Sequence, residues 1–280
     1  MDGVLLVNKE PEMTSQVVVS KIKRILNVKK AGHAGTLDPN AVGLLVVLLG
    51  KATKCSPFLM NKEKVYRTRM VLGKSTDTYD IWGQITEERK AQNHSLTEIN
   101  AVLKSFIGQS RQLPPIYSAI KVQGKKLLEY ARKNQEVEIK ERDIYISDII
   151  LNSYEDDILD LTINCDAGTY IRSLVVDIGK KLGELATMTA LNRLSSGNFT
   201  LENAYTLKEI QECNYRLLTN EEALADFPSY ETADHQAIIN GKPLDIESDE
   251  NELMIYCQKK LYACYKKGED GRYYSKRGLF

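Results

Sequence analysis

Long apolar runs are missing from this 280-residue sequence. The longest, Ala41 to Gly50, falls far short of the roughly 20 residues that a bilayer-crossing helix needs, so no membrane span is expected. Histidine is scarce at three residues, and the five cysteines (Cys55, Cys165, Cys213, Cys257 and Cys264) form no CxxC pair. An odd, scattered set suits reduced thiols better than a disulfide framework or a zinc centre, so no metal site is expected. Also missing are a GxxxxGK(S/T) phosphate loop, HExxH, GxSxG and a GxGxxG turn after a strand, which disfavours nucleotide hydrolysis and dinucleotide redox chemistry. With so little histidine, catalysis is left to carboxylate, tyrosine or arginine. No internal repeat or low-complexity stretch points to a solenoid. Met1 to Val7 carries neither a basic leader nor a long apolar stretch, so a first strand without a secretory signal, and a cytoplasmic protein, are expected.

Hydrophobic residues make up 42% and charged residues 27% of the chain, ordinary values for a globular protein. At roughly 150 residues per domain, the length allows one large domain with a smaller appendage. The charge is balanced overall, 38 basic against 38 acidic residues, but unevenly placed: residues 1–70 hold 12 Lys/Arg against 5 Asp/Glu, residues 201–256 hold 3 against 13, and residues 257–280 hold 7 against 2. A polyanion responds to the local field more than to the total charge, so two basic regions could meet one while the acidic stretch faces elsewhere.

Val4 to Val7 reads as a strand. Thr14-Ser15 then offers an N-cap to a helix carrying Val18, Val19, Ile22, Ile25 and Leu26. From Asn27 to Asn40 the periodicity stops, and a loop punctuated by Gly32, Gly35 and Pro39 is expected. Val42 to Leu49 should be a buried segment, Tyr66 to Leu72 a strand and Leu96 to Ile107 a helix. The basic stretch from about 112 to 142 reads as an insertion with a short helix near Leu127 to Arg132. Ile144 to Leu151 and Ile158 to Cys165 read as strands with a turn at Asp157. Thr169 can cap a helix bearing Ile171, Leu174, Val175, Ile178 and Leu182, stopped at Gly183. Phe227-Pro228-Ser229 looks like a boundary before a tail with strands over Met254 to Tyr265. Without a regular βαβ rhythm, the expected class is α+β with a mixed, mainly antiparallel sheet and flanking helices.

Two residues carry candidate chemistry. Asp38 stands before Pro39 in a glycine-flanked loop, where backbone can approach a ligand and proline stiffens the carboxylate; an Asx-turn or helix-cap role is the plain alternative. Arg172 falls in the first turn of a helix, where a cation opposes the macrodipole. This suggests a carboxylate partner, a surface salt bridge being the alternative.

The segment Gly32-His33-Ala34-Gly35-Thr36-Leu37-Asp38-Pro39-Asn40-Ala41-Val42-Gly43-Leu44-Leu45 resembles the GHxGxLDPxAxGxL motif of the TruB family of bacterial tRNA pseudouridine-55 synthases. Further blocks match in the same order: Lys64-Val65-Tyr66-Arg67, Gly73 to Asp80, Pro115 to Lys121, Gly124 to Leu127, and Gly168 to Leu174. The resemblance spans residues 3 to about 200, with departures at Glu10-Pro11-Glu12 and Asn192.

The resemblance implies a pseudouridine-synthase catalytic domain over residues 1–228, with an RNA-gripping insertion at about 112–142, and a short, mainly-β PUA-like domain over 229–280. It implies isomerisation of uridine-55 in the TΨC loop of tRNA, with no cofactor, no guide RNA and a monomeric enzyme. Asp38 becomes the catalytic aspartate paired with Arg172, acting on the sugar C1′, on uracil C6 or on a ribose proton. Tyr66 would stack on the flipped uracil, and His33 would order the loop nucleotides. Tyr170 and Leu191 would line the base pocket, Tyr170 also handling the C5 proton, while Asp80 joins the polar network. Lys121, Lys125, Lys126 and Arg132 would grip the RNA backbone. Such an enzyme must extrude its target and replace lost stacking, each base–aromatic stack being worth roughly 1–3 kcal/mol. Rival readings are a tRNA-folding chaperone without chemistry and an RNA N-glycosidase using Asp38 with Asp80.

Overall fold

The structure is a computed structural model that describes residues 1–133 and 135–280. It divides into two compact units, one made of Met1–Pro39, Gly43–Asn61 and Phe199–Phe280, the other of Asn40–Val42 and Lys62–Asn198. These units cut the chain differently from a linear boundary at residue 228.

The first unit begins with β1 (Gly3–Lys9), α1 (Ser15–Ile25), β2 (Ala31–His33) and β3 (Val42–Leu49), followed by a 3-10 turn (Gly50–Cys55) and α2 (Ser56–Met60). The Thr14 hydroxyl accepts from the Val17 N–H at 3.2 Å and caps α1, as its position before the apolar repeat predicts. The uninterrupted apolar run of β3 has a plain cause. Leu44, Val46 and Leu48 enter one core cluster and Leu45, Val47 and Leu49 another, while the antiparallel partner β1 divides Val4 and Leu6 from Leu5 and Val7 in the same way. A strand covered on both faces has no use for polar alternation. The helix α1 supplies Val18, Val19 and Ile22 to the second cluster. The expected loop from Asn27 to Asn40 is corrected in part: Ala31, Gly32 and His33 pair with Leu49, Leu48 and Val47. Their own strand propensity is low, and the Val47–Leu49 stretch of β3 supplies the partner they pair with.

The second unit comprises β4 (Lys64–Leu72), β5 (Lys74–Thr76), β6 (Ile85–Glu88), α3 (Leu96–Lys104), β7 (Gly108–Gln112), β8 (Lys121–Val122), β9 (Lys125–Lys126), α4 (Leu127–Ala131), β10 (Arg142–Glu155), β11 (Ile158–Cys165), α5 (Ile171–Lys181) and β12 (Ala186–Ser196). Its sheet runs β12-β4-β11-β10-β7 with every pair antiparallel. Residue 134, inside the expected insertion, lies outside the described residues. Asp156 and Asp157 both take positive φ (51° and 62°) in the two-residue turn between β10 and β11, the left-handed pair that matches strand twist. The α5 cap is corrected by one position: Tyr170, not Thr169, is the N-cap, without a side-chain capping bond.

The chain returns to the first unit with β13 (Phe199–Thr200), α6 (Leu207–Gln211), α7 (Asn220–Ala223), β14 (Ser229–Glu231), α8 (His235–Ile239), β15 (Glu252–Cys257), β16 (Lys260–Lys267) and β17 (Tyr273–Gly278). The last four strands form a sheet in the order β14-β15-β16-β17. One of its faces packs Leu253, Ile255, Tyr265 and Tyr273 with Ile238 of α8, and the other places Met254, Leu261 and Cys264 in the same cluster as Val4, Leu6 and Leu44. Among the described residues, no helix is long and apolar enough to cross a membrane.

All five cysteines are free. Burial pushes the Cys55, Cys165 and Cys264 thiols up to about 12, Cys257 is buried as well, and Cys213 is exposed. Only the thiolate is nucleophilic, so a disulfide reagent should titrate one thiol rapidly in the native protein and five after denaturation, and Cys213→Ser should remove the rapid one.

Arg67 and Arg69 of β4 reach the Asp160 carboxylate of β11 at 2.9 Å, joined by the Asn152 amide at 2.9 Å. These bonds, those of Arg67 foremost, hold the Asp160 carboxyl far below the usual carboxylate range. A depressed carboxyl stabilises the fold above its unfolded pKa and loses that contribution as pH falls towards its folded value. Asp160→Asn is therefore expected to lower the urea midpoint at pH 7, with the gap to wild type narrowing as pH drops below about 4. A gap constant with pH would refute the electrostatic origin.

Candidate active site

Asp38 lies in the first unit, half-buried, and its two neighbours are pinned. The Ser15 hydroxyl at the start of α1 accepts from Leu37 N–H at 2.8 Å and lies 3.1 Å from the Leu37 carbonyl, to which it donates. On the other side, the Lys9 ammonium, buried to 1% exposure at the end of β1, donates to the Pro39 carbonyl at 2.8 Å and the Glu10 carbonyl at 2.9 Å. Met13 N–H adds a bond to the same Pro39 carbonyl at 3.3 Å. The carboxylate is thus presented from backbone fixed on both flanks, the geometry a reactive group requires. His33 stands on β2 opposite Val47 in the same unit.

The other expected pocket residues belong to the second unit. Arg172 is buried at 5% exposure, so the surface salt-bridge alternative is excluded. Its guanidinium donates to the Thr78 carbonyl at 2.9 Å and the Tyr117 carbonyl at 3.0 Å, and its Nε lies 3.9 Å from Asp80 Oδ2. These acceptors outweigh the unfavourable helix dipole at the second position of α5. Asp80 Oδ1 in turn accepts from the Thr78 hydroxyl at 2.8 Å and Trp82 N–H at 3.2 Å. Ile81 N–H donates to the Met188 carbonyl, and Met188 N–H to the Tyr79 carbonyl, locking this loop to β12. Tyr79 holds φ at 66°, a strained left-handed value for a bulky residue. Gly83 is required beside it, since a Cβ there would come within 2.2 Å of the Thr78 hydroxyl.

Tyr170 is oriented by Gln112 of β7, whose amide accepts from Tyr170 N–H at 2.8 Å and donates to the Tyr170 carbonyl at 3.1 Å. Tyr66 on β4 is 8% exposed and faces Arg193 on β12, while Leu191, 7% exposed, faces Thr68 two residues along the same side. The two are diagonal neighbours on one sheet face. Lys121, Lys125, Lys126 and Arg132 are all exposed on the β8–β9 hairpin and at the end of α4. Among the described residues, no group of three His, Cys, Asp or Glu side chains could hold a metal ion.

Sequence reasoning missed Thr78, Tyr117 and Gln112 as supports. Thr78 and Tyr117 fall inside matched blocks, but they serve Arg172 through main-chain carbonyls, which leave no residue-type signature. Gln112 had no signal beyond its place at the edge of the insertion.

A chain in the crystal structure of a Cbf5-Nop10-Gar1 complex superposes with a TM-score of 0.76 at 26% identity, covering 99% of this chain and 85% of that one. A chain in a structure of an H/ACA RNP bound to a substrate RNA containing 2′-deoxyuridine gives 0.75 at 25%, with the same shares. The family profile "TruB family pseudouridylate synthase (N terminal domain)" matches residues 23–171, and "tRNA pseudouridylate synthase B C-terminal domain" matches residues 172–227. Fold and profiles together define a pseudouridylate synthase. Tighter similarity is found to the protein named tRNA pseudouridine synthase B of Mesoplasma florum, 40% identical over 99% of this chain and 97% of that protein, and to its namesake in Bacillus pumilus, 42% identical over 89% and 85%. The chain belongs to the TruB family, as the ordered motif blocks imply.

A guanidinium held by two carbonyls and a carboxylate cannot be matched by a lysine ammonium, which lacks the planar fork. Arg172→Lys is expected to cost about 2–4 kcal/mol in urea unfolding and to cut turnover, while Gln112→Ala should lower stability less because Tyr170 keeps its helical backbone bond to Leu174. Equal urea midpoints for wild type and Arg172→Lys would refute the account of the buried guanidinium.

Proposed function

We propose that this protein isomerises uridine-55 to pseudouridine in the TΨC loop of tRNA, acting in the cytoplasm without a guide RNA or cofactor. The observation that carries this reading is Asp38, half-buried in the motif loop with both flanking residues pinned by Ser15 and Lys9. The names of full-length relatives support the substrate class.

In this reading Asp38 is the catalytic carboxylate and Arg172 its guanidinium partner. Tyr66 stacks on the extruded uracil, Leu191 and Tyr170 wall the base, and His33 orders the displaced loop nucleotides. Asp80, held by Thr78 and Trp82, keeps the polar side of the pocket aligned. Lys121, Lys125, Lys126 and Arg132 neutralise backbone phosphates from the exposed hairpin and helix end. Residues 1–228 form the catalytic domain and 229–280 a PUA-like appendage, and the enzyme works as a monomer.

The chemistry balances internally. The N1–C1′ bond breaks, the uracil turns, C5–C1′ forms, the C5 proton leaves through the Tyr170 side of the pocket and N1 takes up a proton. No net oxidation occurs and no water is consumed. Whether the Asp38 oxygen adds to C1′, adds to C6 or removes a ribose proton, it acts as an anion delivered to one nucleoside. The apolar walls exclude water that would otherwise hydrolyse a detached sugar.

Tritium release from C5-labelled tRNA tests this directly. Wild type should release tritium stoichiometrically with pseudouridine at position 55, and Asp38→Asn should lose at least ~10³-fold in rate while still binding tRNA. No release by wild type would leave a chaperone, and free uracil among the products would indicate an N-glycosidase. Either result overturns the proposal.

A further inference from the structure

Between Glu12 and Asp38 the chain has no acidic residue, yet Lys21, Lys23, Arg24, Lys29 and Lys30 all fall there. All five are exposed. None takes part in an ion pair among the described residues. Lys21 and Arg24 are three apart on α1 and share a helix face, opposite the buried Val18, Val19 and Ile22.

The fold adds a sixth cation that the sequence does not place. Gly50 N–H donates to the Lys30 carbonyl at 2.8 Å, and Ala31 pairs with Leu49, so the exposed Lys51 is set beside the Lys29–Lys30 link. Nearby acids are engaged locally. Asp2 Oδ1 accepts from the Lys51 backbone N–H at 2.7 Å, and on α6, which packs against α1, Glu209 caps Thr206 while Glu212 pairs with Lys208.

Lys23 and Arg24 lie in the last turn of α1, where a cation complements the helix dipole. That explanation does not reach Lys21, Lys29, Lys30 or Lys51. Six cations need a run of phosphates, which a single nucleotide does not offer. No Phe, Tyr or Trp falls between Glu12 and Asp38 to read bases, so the ligand chemistry of the strip is backbone phosphate, independent of sequence.

We propose that this strip is a second RNA-backbone site, holding helical phosphates of the substrate outside the TΨC stem-loop that carries the target uridine. The proposal rests on the reading of the protein as a tRNA-modifying enzyme and extends it from the loop to the body of the RNA. Lys30 directly precedes the β2 residues Ala31 to His33, so RNA held along the strip is also held against the segment that leads to Asp38.

The test uses two full-length variants, Lys21→Gln/Lys23→Gln/Arg24→Gln and Lys29→Gln/Lys30→Gln/Lys51→Gln, each checked by thermal unfolding. Filter binding to a full tRNA transcript and to its isolated TΨC stem-loop is measured over a range of KCl concentrations. For the full transcript, each variant should weaken binding about tenfold near physiological salt and flatten the slope of log Kd against log KCl by about 2–3, as expected for roughly three lost phosphate contacts. Stem-loop binding and kcat at saturating RNA should be unchanged. An unaltered slope with full tRNA in the folded variants overturns the proposal, and equal losses on both RNAs do so as well by assigning the strip to the TΨC stem-loop itself. If one variant fails to fold, the other decides. Failure of wild type to form pseudouridine would strike the catalytic reading, whereas the binding slopes judge the strip separately.

Discussion

The buried Arg172 guanidinium is the constraint around which the second unit's pocket is arranged. A cation taken out of water costs several kcal/mol unless its donors are matched, and here the acceptors come from two segments distant in sequence, Thr78 with Asp80 and, separately, Tyr117. Each must be fixed for the charge to remain buried. The loop from Thr76 to Gly83 accordingly folds back on its own carboxylates and hydroxyls, with Asp80 accepting from Thr78 and Trp82, and Asp77 from Gln84 N–H. The left-handed Tyr79 is one result of that closure. Removing the guanidinium would leave two inward carbonyls and a carboxylate without their common donor.

Asp38 is framed on the same principle with a different cation. There the buried cation is Lys9, and the acceptors are the carbonyls of Glu10 and Pro39. In both cases a buried cation bonded to main-chain oxygen sets the backbone beside an acidic residue. The arrangement spends cationic hydrogen bonds on positioning, so the carboxylates of Asp38 and Asp80 are placed by rigid backbone and need not rely on loop packing.

Much of the fold could be read from period and punctuation. The Thr14 cap, the apolar repeat of α1, the unbroken run of β3 and the alternation in β11 all express local preferences that agree with tertiary structure. What escaped was decided by partners. Ala31 to His33 is a strand because β3 supplies the partner it pairs with. Ala186 to Ser196 was not expected as a strand, since its mixed sequence and its register shifts against β4, between Met188 and Ala190 and between Arg193 and Ser195, blur any period of two. For the site, the motif blocks flagged Asp38, Asp80 and Arg172. The carbonyls of Thr78 and Tyr117 were invisible, because every residue carries one.

The charge pattern shows why a protein with no net charge can belong to a family that handles RNA. The excess of acid in residues 201–256 cancels the basic segments only in the sum, whereas the screening length at physiological salt is about 8 Å, so a phosphate near α1 responds to the local excess of lysine and arginine. The fold itself does not dictate how an RNA is chosen. Chains from the Cbf5-Nop10-Gar1 and H/ACA RNP structures share this architecture at TM-scores near 0.75 while differing at most positions. A common fold at such divergence preserves the scaffold and leaves recognition to side chains grafted upon it. Selectivity in this chain must therefore be sought in its own side chains, and not in the strand order it shares with those neighbours.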